Sequence, residues 1–251
     1  CSTAVRAYPE ERRLHLQLGR AYDRLSQYGE AMANYSTAAD MGSLVAFNNI
    51  GTLHENGEGV PPSPETAFGF YMEAAEGGNT MAMGNVARMF EYGRGVSQDI
   101  GQAVAWYERA AEAGDGFAIT KLASYYVDGG PGVTPDLDKA MGLFQRGIDL
   151  KEPLAMVTAA VLIDNGFAEF FPDKTSLDVL LGAVEQGDAG ATAVIATSAN
   201  AQPLSPATVT ALQQSLKDAQ FYTGVLDGTM NPLFVQSLNT YARSAASQIN
   251  D

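Results

Sequence analysis

The amino-acid sequence reads as an all-α solenoid of stacked helix pairs, and three observations carry that reading. The first is a repeat: Ala46, Ala82, Ala118, Ala155 and Ala191 are separated by 36, 36, 37 and 36 residues, and Gly57, Gly93, Gly129 and Gly166 keep the same stagger. The second is periodicity inside the repeat, where Ala82, Val86, Met89 and Phe90 fall at i, i+4, i+7 and i+8, one stripe of an amphipathic helix. The third is composition: 46% hydrophobic and 18% charged residues suit a folded chain rather than a disordered one. One helix pair cannot bury both of its faces, so successive pairs must stack into a continuous core.

The elements follow from the residues in order. A tether over residues 1–13 precedes a short unit at 14–45, in which Leu18, Gly19, Tyr22, Ala31 and Tyr35 stand in phase with later units. Unit 46–81 enters its second helix at Ser63-Pro64, where its neighbours place a capping Asp. Unit 82–117 shows the pattern most fully. Gly93 and Gly95 end its first helix, because glycine accepts positive φ without penalty. Val96 plugs the loop, Asp99 caps a second helix carrying Ala103, Trp106, Tyr107, Ala110 and Ala111, and Gly114 ends it. Unit 118–154 has an insertion around Gly129-Gly130-Pro131-Gly132. Unit 155–190 replaces the usual loop with Gly166–Pro172. Phe167, Phe170 and Phe171 there make either an exposed apolar contact or a segment folded back on the last repeats, and the second is expected. A capping helix at 191–200 closes the array.

The A-x3-(L/V/I)-(G/A)-x2-(Y/F) opening, the G-x-G-V loop, the D-x3-A step and the WYxxAAExG close resemble the Sel-1-like repeat family, a longer-looped relative of the tetratricopeptide repeat. The resemblance covers about residues 14–200 and implies an α/α solenoid of Sel-1-like, TPR-like helix pairs with a concave protein-binding face. It implies a scaffold and not a chemistry.

After residue 200 the pattern stops. Ser205 is placed to cap a helix that starts at Pro206, and Val209, Leu212, Leu216 and Ala219 give its stripe. Turn residues in Phe221–Pro232 lead to a closing helix with Val235, Leu238 and Tyr241. Leu212, Gln213, Leu216, Phe221, Tyr222, Gly224, Asp227, Gly228 and Leu238 match the pattern of the small three-helix peptidoglycan-binding domain, so residues 201–251 resemble it. Gln220, Asn231 and the Leu233-Phe234-Val235 stretch depart from that pattern, and the first helix of the domain is absent or supplied by residues 189–200. The resemblance implies peptidoglycan binding through Tyr222, Asp227 and Thr229; the alternative is that Phe221 and Tyr222 are core anchors and Asp227-Gly228 only makes the turn.

Charge and scarce residue types exclude function classes. Fifteen Lys and Arg against 29 Asp and Glu give a net charge of −14, which repels phosphate backbones, so no nucleic-acid partner is expected. No uninterrupted apolar run approaches the roughly 18 residues of a membrane span. Two histidines and one cysteine leave little for a metal site or a nucleophile–base pair. His54 aligns with Phe90, Tyr126 and Ile163 and so reads as a packing residue, and His15 has no acidic partner at a telling spacing. The G-x-G elements follow helices, not strands, and fail as phosphate cradles. Glu55, Glu58 and Glu91 read as a solvated acidic face. The expectation is no enzyme and no cofactor or metal. Cys1 resembles the acylated cysteine of a bacterial lipoprotein, and Ser2 after it leans toward the outer membrane. The whole reads as a periplasm-facing envelope lipoprotein that scaffolds or regulates protein partners and also binds peptidoglycan. The alternatives are a wall-anchoring spacer, or a non-catalytic subunit of a wall hydrolase or signalling complex.

Overall fold

The structure is a computed structural model that describes residues 3, 7–8, 10–130, 132–186, 192–193, 195–196 and 204–249. Cys1, most of the expected capping helix at 191–200 and the linker up to Pro203 lie outside the described residues. Among the described residues the fold is all-helical, with consecutive helices paired and one isolated antiparallel bridge, Gly130 to Val133, tying off the insertion. The chain divides into two compact units: residues 1–118 with 130–133, and residues 119–129 with 134–251.

The first unit holds α1 (Arg12–Arg24), α2 (Tyr28–Asp40), α3 (Leu44–Asn56), α4 (Pro64–Glu76), α5 (Thr80–Tyr92), α6 (Ile100–Glu112) and the start of α7 (Gly116–Asp128), each 13 residues long. Short polar side chains fix the starts of α3 to α6. Ser43, Ser63, Asn79 and Asp99 accept from the backbone N–H of Ala46, Thr66, Ala82 and Gln102, satisfying donors that the helix itself cannot. Two of them, α3 and α5, end at Gly57 and Gly93, in the left-handed region at φ 73° and 65°.

The repeat positions read from the sequence form the core. Ala38, Ala74, Ala110 and the tyrosines Tyr35, Tyr71 and Tyr107 are fully enclosed. Each tyrosine buries its ring and hands its hydroxyl to a carboxylate near the end of the preceding helix. Tyr35 donates to Asp23 at 3.0 Å, Tyr71 to Glu55 at 2.9 Å and Tyr107 to Glu91 at 2.6 Å. The partner lies 12 residues back in the first case and 16 in the others. The connection is residues 25–27 before α2 but 57–63 before α4, four residues longer, which accounts for the difference. Burial first, then the adjacent carboxylate, pushes the Tyr35 phenol above its ordinary range; burial does the same for Tyr71. Gly51 makes room for the ring: a methyl there would sit 2.7 Å from the Tyr71 edge.

The second unit holds the rest of α7, then α8 (Leu137–Asp149), α9 (Pro153–Leu162), α10 (Ser176–Glu185), α11 (Pro206–Asp218) and α12 (Pro232–Ile249). Asp136 caps α8, and Thr175 with Asp178 forms a capping box on α10. Beyond α9 the helix widens into a π-type turn, Ile163–Phe167, with Gly166 at φ 104°. Phe171 is buried and Phe167 and Phe170 pack against the same cluster, so this segment folds back as expected. The stretch Pro153–Phe170 has a mean hydropathy of 1.2 over 18 residues, enough by length and composition alone for a membrane span, although Thr158, Asp164, Asn165 and Glu169 interrupt it, so it is not an uninterrupted apolar run. Met156, Val157, Ala159 and Ala160 make it a core element of this unit.

The expected boundary between residues 200 and 201 is not where this structure divides. Leu212, Leu216, Phe234 and Leu238 share one apolar cluster with Ile148, Val157 and Leu180. Asp164 in the π-type turn accepts from the backbone N–H and hydroxyl of Ser205 and from Thr208 Oγ1, clamping the start of α11. The last two helices therefore complete the core of the final repeats.

Candidate functional site

The repeat builds a groove in the first unit because equivalent positions of successive first helices face the same way. Asn48 on α3 and Gly84 on α5 are one period apart, as are Met81 on α5 and Phe117 on α7. Together with Asn85, Arg88 and Asp115 they line a cavity of about 300 Å³. Its floor exists because Gly84 lacks a side chain, and a Cβ there would meet only Asp115 Oδ1, at 3.9 Å. A mid-helix glycine costs about 1 kcal/mol relative to alanine. That cost gains no backbone geometry here, since Gly84 is not among the positive-φ glycines; it keeps a hole open.

Two exposed apolar side chains, Met81 and Phe117, 52% and 43% exposed, flank a polar interior. Asn85 Nδ2 donates to Asn48 Oδ1 at 3.0 Å, and Arg88 Nη2 donates to Asn85 Oδ1 at 3.3 Å. Arg88 is held from behind by Glu55, at 2.8 Å, and Arg94 meets the other Glu55 oxygen at 3.0 Å. Glu55 is buried, with Tyr71 donating to it as well. This corrects the reading of Glu55 as part of a solvated face: it is an anchor between two successive repeats, answered by cations from the next one. Glu91 likewise is bound to Tyr107. Arg88 Nε is buried without an acceptor among the described residues.

Asp115 lies at the other wall. Its Oδ1 accepts from the Ala118 N–H at 2.7 Å, capping α7, and no cation stands within ion-pairing distance among the described residues. Burial raises its carboxyl above the usual carboxylate value despite the hydrogen bonds it accepts from the Ala118 and Phe117 N–H groups. Amides, a half-buried carboxylate and exposed apolar side chains can recognise a polypeptide; they present no nucleophile–base pair. His54 stacks on Phe70 with centroids 5.6 Å apart, its Nδ1 buried without a partner among the described residues, and buried His15 approaches Asn34 Oδ1 at 3.4 Å. Among the described residues no group of three or more His, Cys, Asp or Glu could hold a metal.

The residues expected for peptidoglycan are placed differently from one another. Tyr222 is 1% exposed, its ring edge-on to Phe234 at 5.5 Å and its hydroxyl donating to Val225 O at 2.8 Å. It is a core anchor with no free ring face, the alternative stated from the sequence. Asp227 and Thr229 remain at the surface, but Asp227 Oδ1 accepts from the Thr229 N–H and hydroxyl at 2.9 and 2.8 Å, closing the turn. The residue that organises this loop is Gln213, fully buried on α11. Its Nε2 donates to Asp227 Oδ1 and Thr229 O, at 3.0 and 2.9 Å, and its Oε1 accepts from the Asp227 and Gly228 N–H groups, both at 3.1 Å. The loop so fixed presents Val225, 75% exposed. The sequence signal for Gln213 was its place beside Leu212 in an apolar stripe, and that for Gly84 was a glycine amid a helical pattern; neither reveals its purpose without the fold.

The Sel1 repeat pattern matches residues 46–79, 80–115 and 116–151, so this part of the chain carries three Sel1 repeats. Solved structures share the fold. A Sel1 repeat protein from Oxalobacter formigenes superposes with a TM-score of 0.61 at 23% identity, over 92% of this chain and 99% of that one. The protective antigen c5321 of uropathogenic Escherichia coli, which displays an SLR fold, gives 0.58 at 21% identity over 96% of this chain, which spans 55% of that one. The immunity protein Pa5087 from Pseudomonas aeruginosa gives 0.54 at 17% identity, over 92% and 82% of the two chains. A comparison with curated proteins returns no match.

Proposed function

We propose that this protein is a non-enzymatic scaffold of the bacterial cell envelope that binds a partner protein on the face formed by α3, α5 and the start of α7. The groove at Gly84 carries the reading: a hole kept open in the middle of a helix, polar inside, with apolar side chains at its rim. Stacked helix pairs present extended faces suited to polypeptide partners. Photo-crosslinking from positions 81 and 117 in cells tests it. Adducts with a discrete partner are expected, and Gly84→Leu, which fills the hole from a position where a Cβ meets only Asp115 Oδ1 at 3.9 Å, should remove them. Adducts unchanged by Gly84→Leu would sink the reading.

A second reading, attachment to peptidoglycan, is supported by the rigid loop that displays Val225, Asp227 and Thr229. Point variants serve it better than truncation after residue 204, which would strip Leu212 and Phe234 from a shared core. Val225→Ser and Thr229→Ala should reduce co-sedimentation with purified sacculi; sedimentation equal to wild type counts against it. Acylation of Cys1 and an outer-membrane, periplasm-facing location belong to the same proposal, and metabolic labelling with an alkyne fatty acid followed by membrane fractionation checks them.

A further inference from the structure

The groove carries information about its occupant as well as its position, and this inference rests on the reading of the groove as the partner-binding face. About 300 Å³ is at the lower end for a ligand pocket and suits one long side chain better than a folded element. Its two charged lining residues are in unlike states. Arg88 is paired with Glu55 at 2.8 Å and hydrogen-bonded to Asn85, both through Nη2, and its buried Nε lacks an acceptor among the described residues. Asp115 has no counter-charge: its carboxylate accepts from the Ala118 and Phe117 N–H groups at the start of α7, with acceptor capacity left over and no cation beside it among the described residues. Met81 and Phe117 stand at the rim, where the methylene stem of a long basic side chain would lie along them. The net charge of −14 draws basic partners from a distance.

We propose that the Gly84 groove takes a lysine or arginine side chain from an extended segment of a partner protein, pairing its charge with Asp115 while Asn48 and Asn85 meet the segment's backbone. A basic group there restores to Asp115 the counter-charge that its burial lacks. A partner carboxylate would instead have to compete with Glu55 for Arg88 and enter beside Asp115.

The test is a positional library of acetylated, amidated hexapeptides screened against the full chain at low salt. Lysine and arginine should be enriched at one position. The selected peptide should lose about tenfold or more in affinity with Asp115→Asn, because a charge-assisted pair is lost. Asparagine caps a helix as well as aspartate, so the fold is kept. Gly84→Leu should abolish binding. Enrichment of acidic residues, with binding still blocked by Gly84→Leu, overturns the basic occupant but leaves the groove as the binding face. Absence of any peptide whose binding depends on Gly84→Leu overturns both.

Discussion

Gln213→Ala tests the architecture of the terminal loop most directly. The side chain is fully buried and makes hydrogen bonds to four atoms of the loop: Asp227 Oδ1, Thr229 O and the N–H groups of Asp227 and Gly228. At about 1 kcal/mol net for each bond, the upper bound is about 4 kcal/mol. Asp227 and Thr229 lie at the surface and recover water when the bonds go, so about 2 kcal/mol is the lower expectation. The loss is local, because Leu212, Leu216 and Phe234 keep α11 and α12 in the core. Hydrogen exchange read by mass spectrometry over residues 219–231 is therefore the assay. A range of about 2–4 kcal/mol corresponds to amide protection falling by roughly 30- to 800-fold. A change below about threefold would refute the assignment of Gln213 as the residue that holds this loop.

Three further outcomes follow from the same structure. Asp227 has a carboxyl lowered to about 2, first by the Gln213 amide and then by the Thr229 N–H and hydroxyl; its stabilising contribution is complete above the ordinary value of 3.8 and is lost as pH falls toward 2, and an NMR titration should give that midpoint, moving up toward 3.8 in Gln213→Ala. Glu55→Ala leaves Arg88, Arg94 and the Tyr71 hydroxyl without their shared acceptor, and since both arginines are partly exposed and regain water, the cost is about 2–3 kcal/mol, at or below the low end for a broken buried pair; urea unfolding followed by Trp106 fluorescence reports this unit, and a loss under about 0.5 kcal/mol contradicts the anchor role. Gly51→Ala puts a methyl 2.7 Å from the Tyr71 ring and should cost about 1–3 kcal/mol by overpacking, whereas Gly84→Ala, with only Asp115 Oδ1 near at 3.9 Å, should stabilise by up to about 1 kcal/mol; thermal unfolding of the two variants should move in opposite directions.

The repeat and its helix pairs were legible because the signals are local or strictly periodic. Asp99 was read as a cap and accepts from Gln102 N–H; the Phe167–Phe171 segment was expected to fold back, and Phe171 is buried. Glu55 was misread for the opposite reason. Among its sequence neighbours it is one acid in an acidic chain, while its partners Arg88 and Tyr71 are 33 and 16 residues away. The Tyr222 alternatives could not be separated from composition, since the same aromatic residue serves as a binding face or as a core anchor depending on which side of it the chain closes. The domain boundary was placed where the period stops, but the period reports helix-pair geometry, and the core of the second unit continues past it through Leu212, Phe234 and Leu238.

The groove lies where the repeats differ, and this follows from how a repeat protein is built. Positions that pack the two helices of a pair must satisfy the same geometry each time, so Tyr35, Tyr71 and Tyr107 recur with an acid in reach, and Gly19 and Gly51 lie against the rings of Tyr35 and Tyr71. Positions that line the groove carry no such constraint. At one of these the chain reads Asn48 and then Gly84, and at another Asn79 and then Asp115, with Asp115 doing the capping work of Asn79 while adding a charge. Only the differences can distinguish one point along the face from the next, so recognition is written in them. Exchanging Gly84 for the Asn of the preceding repeat makes the point testable. Gly84→Asn restores the period and keeps the fold, yet it fills the hole, and partner crosslinking from position 81 should be lost with no loss of stability.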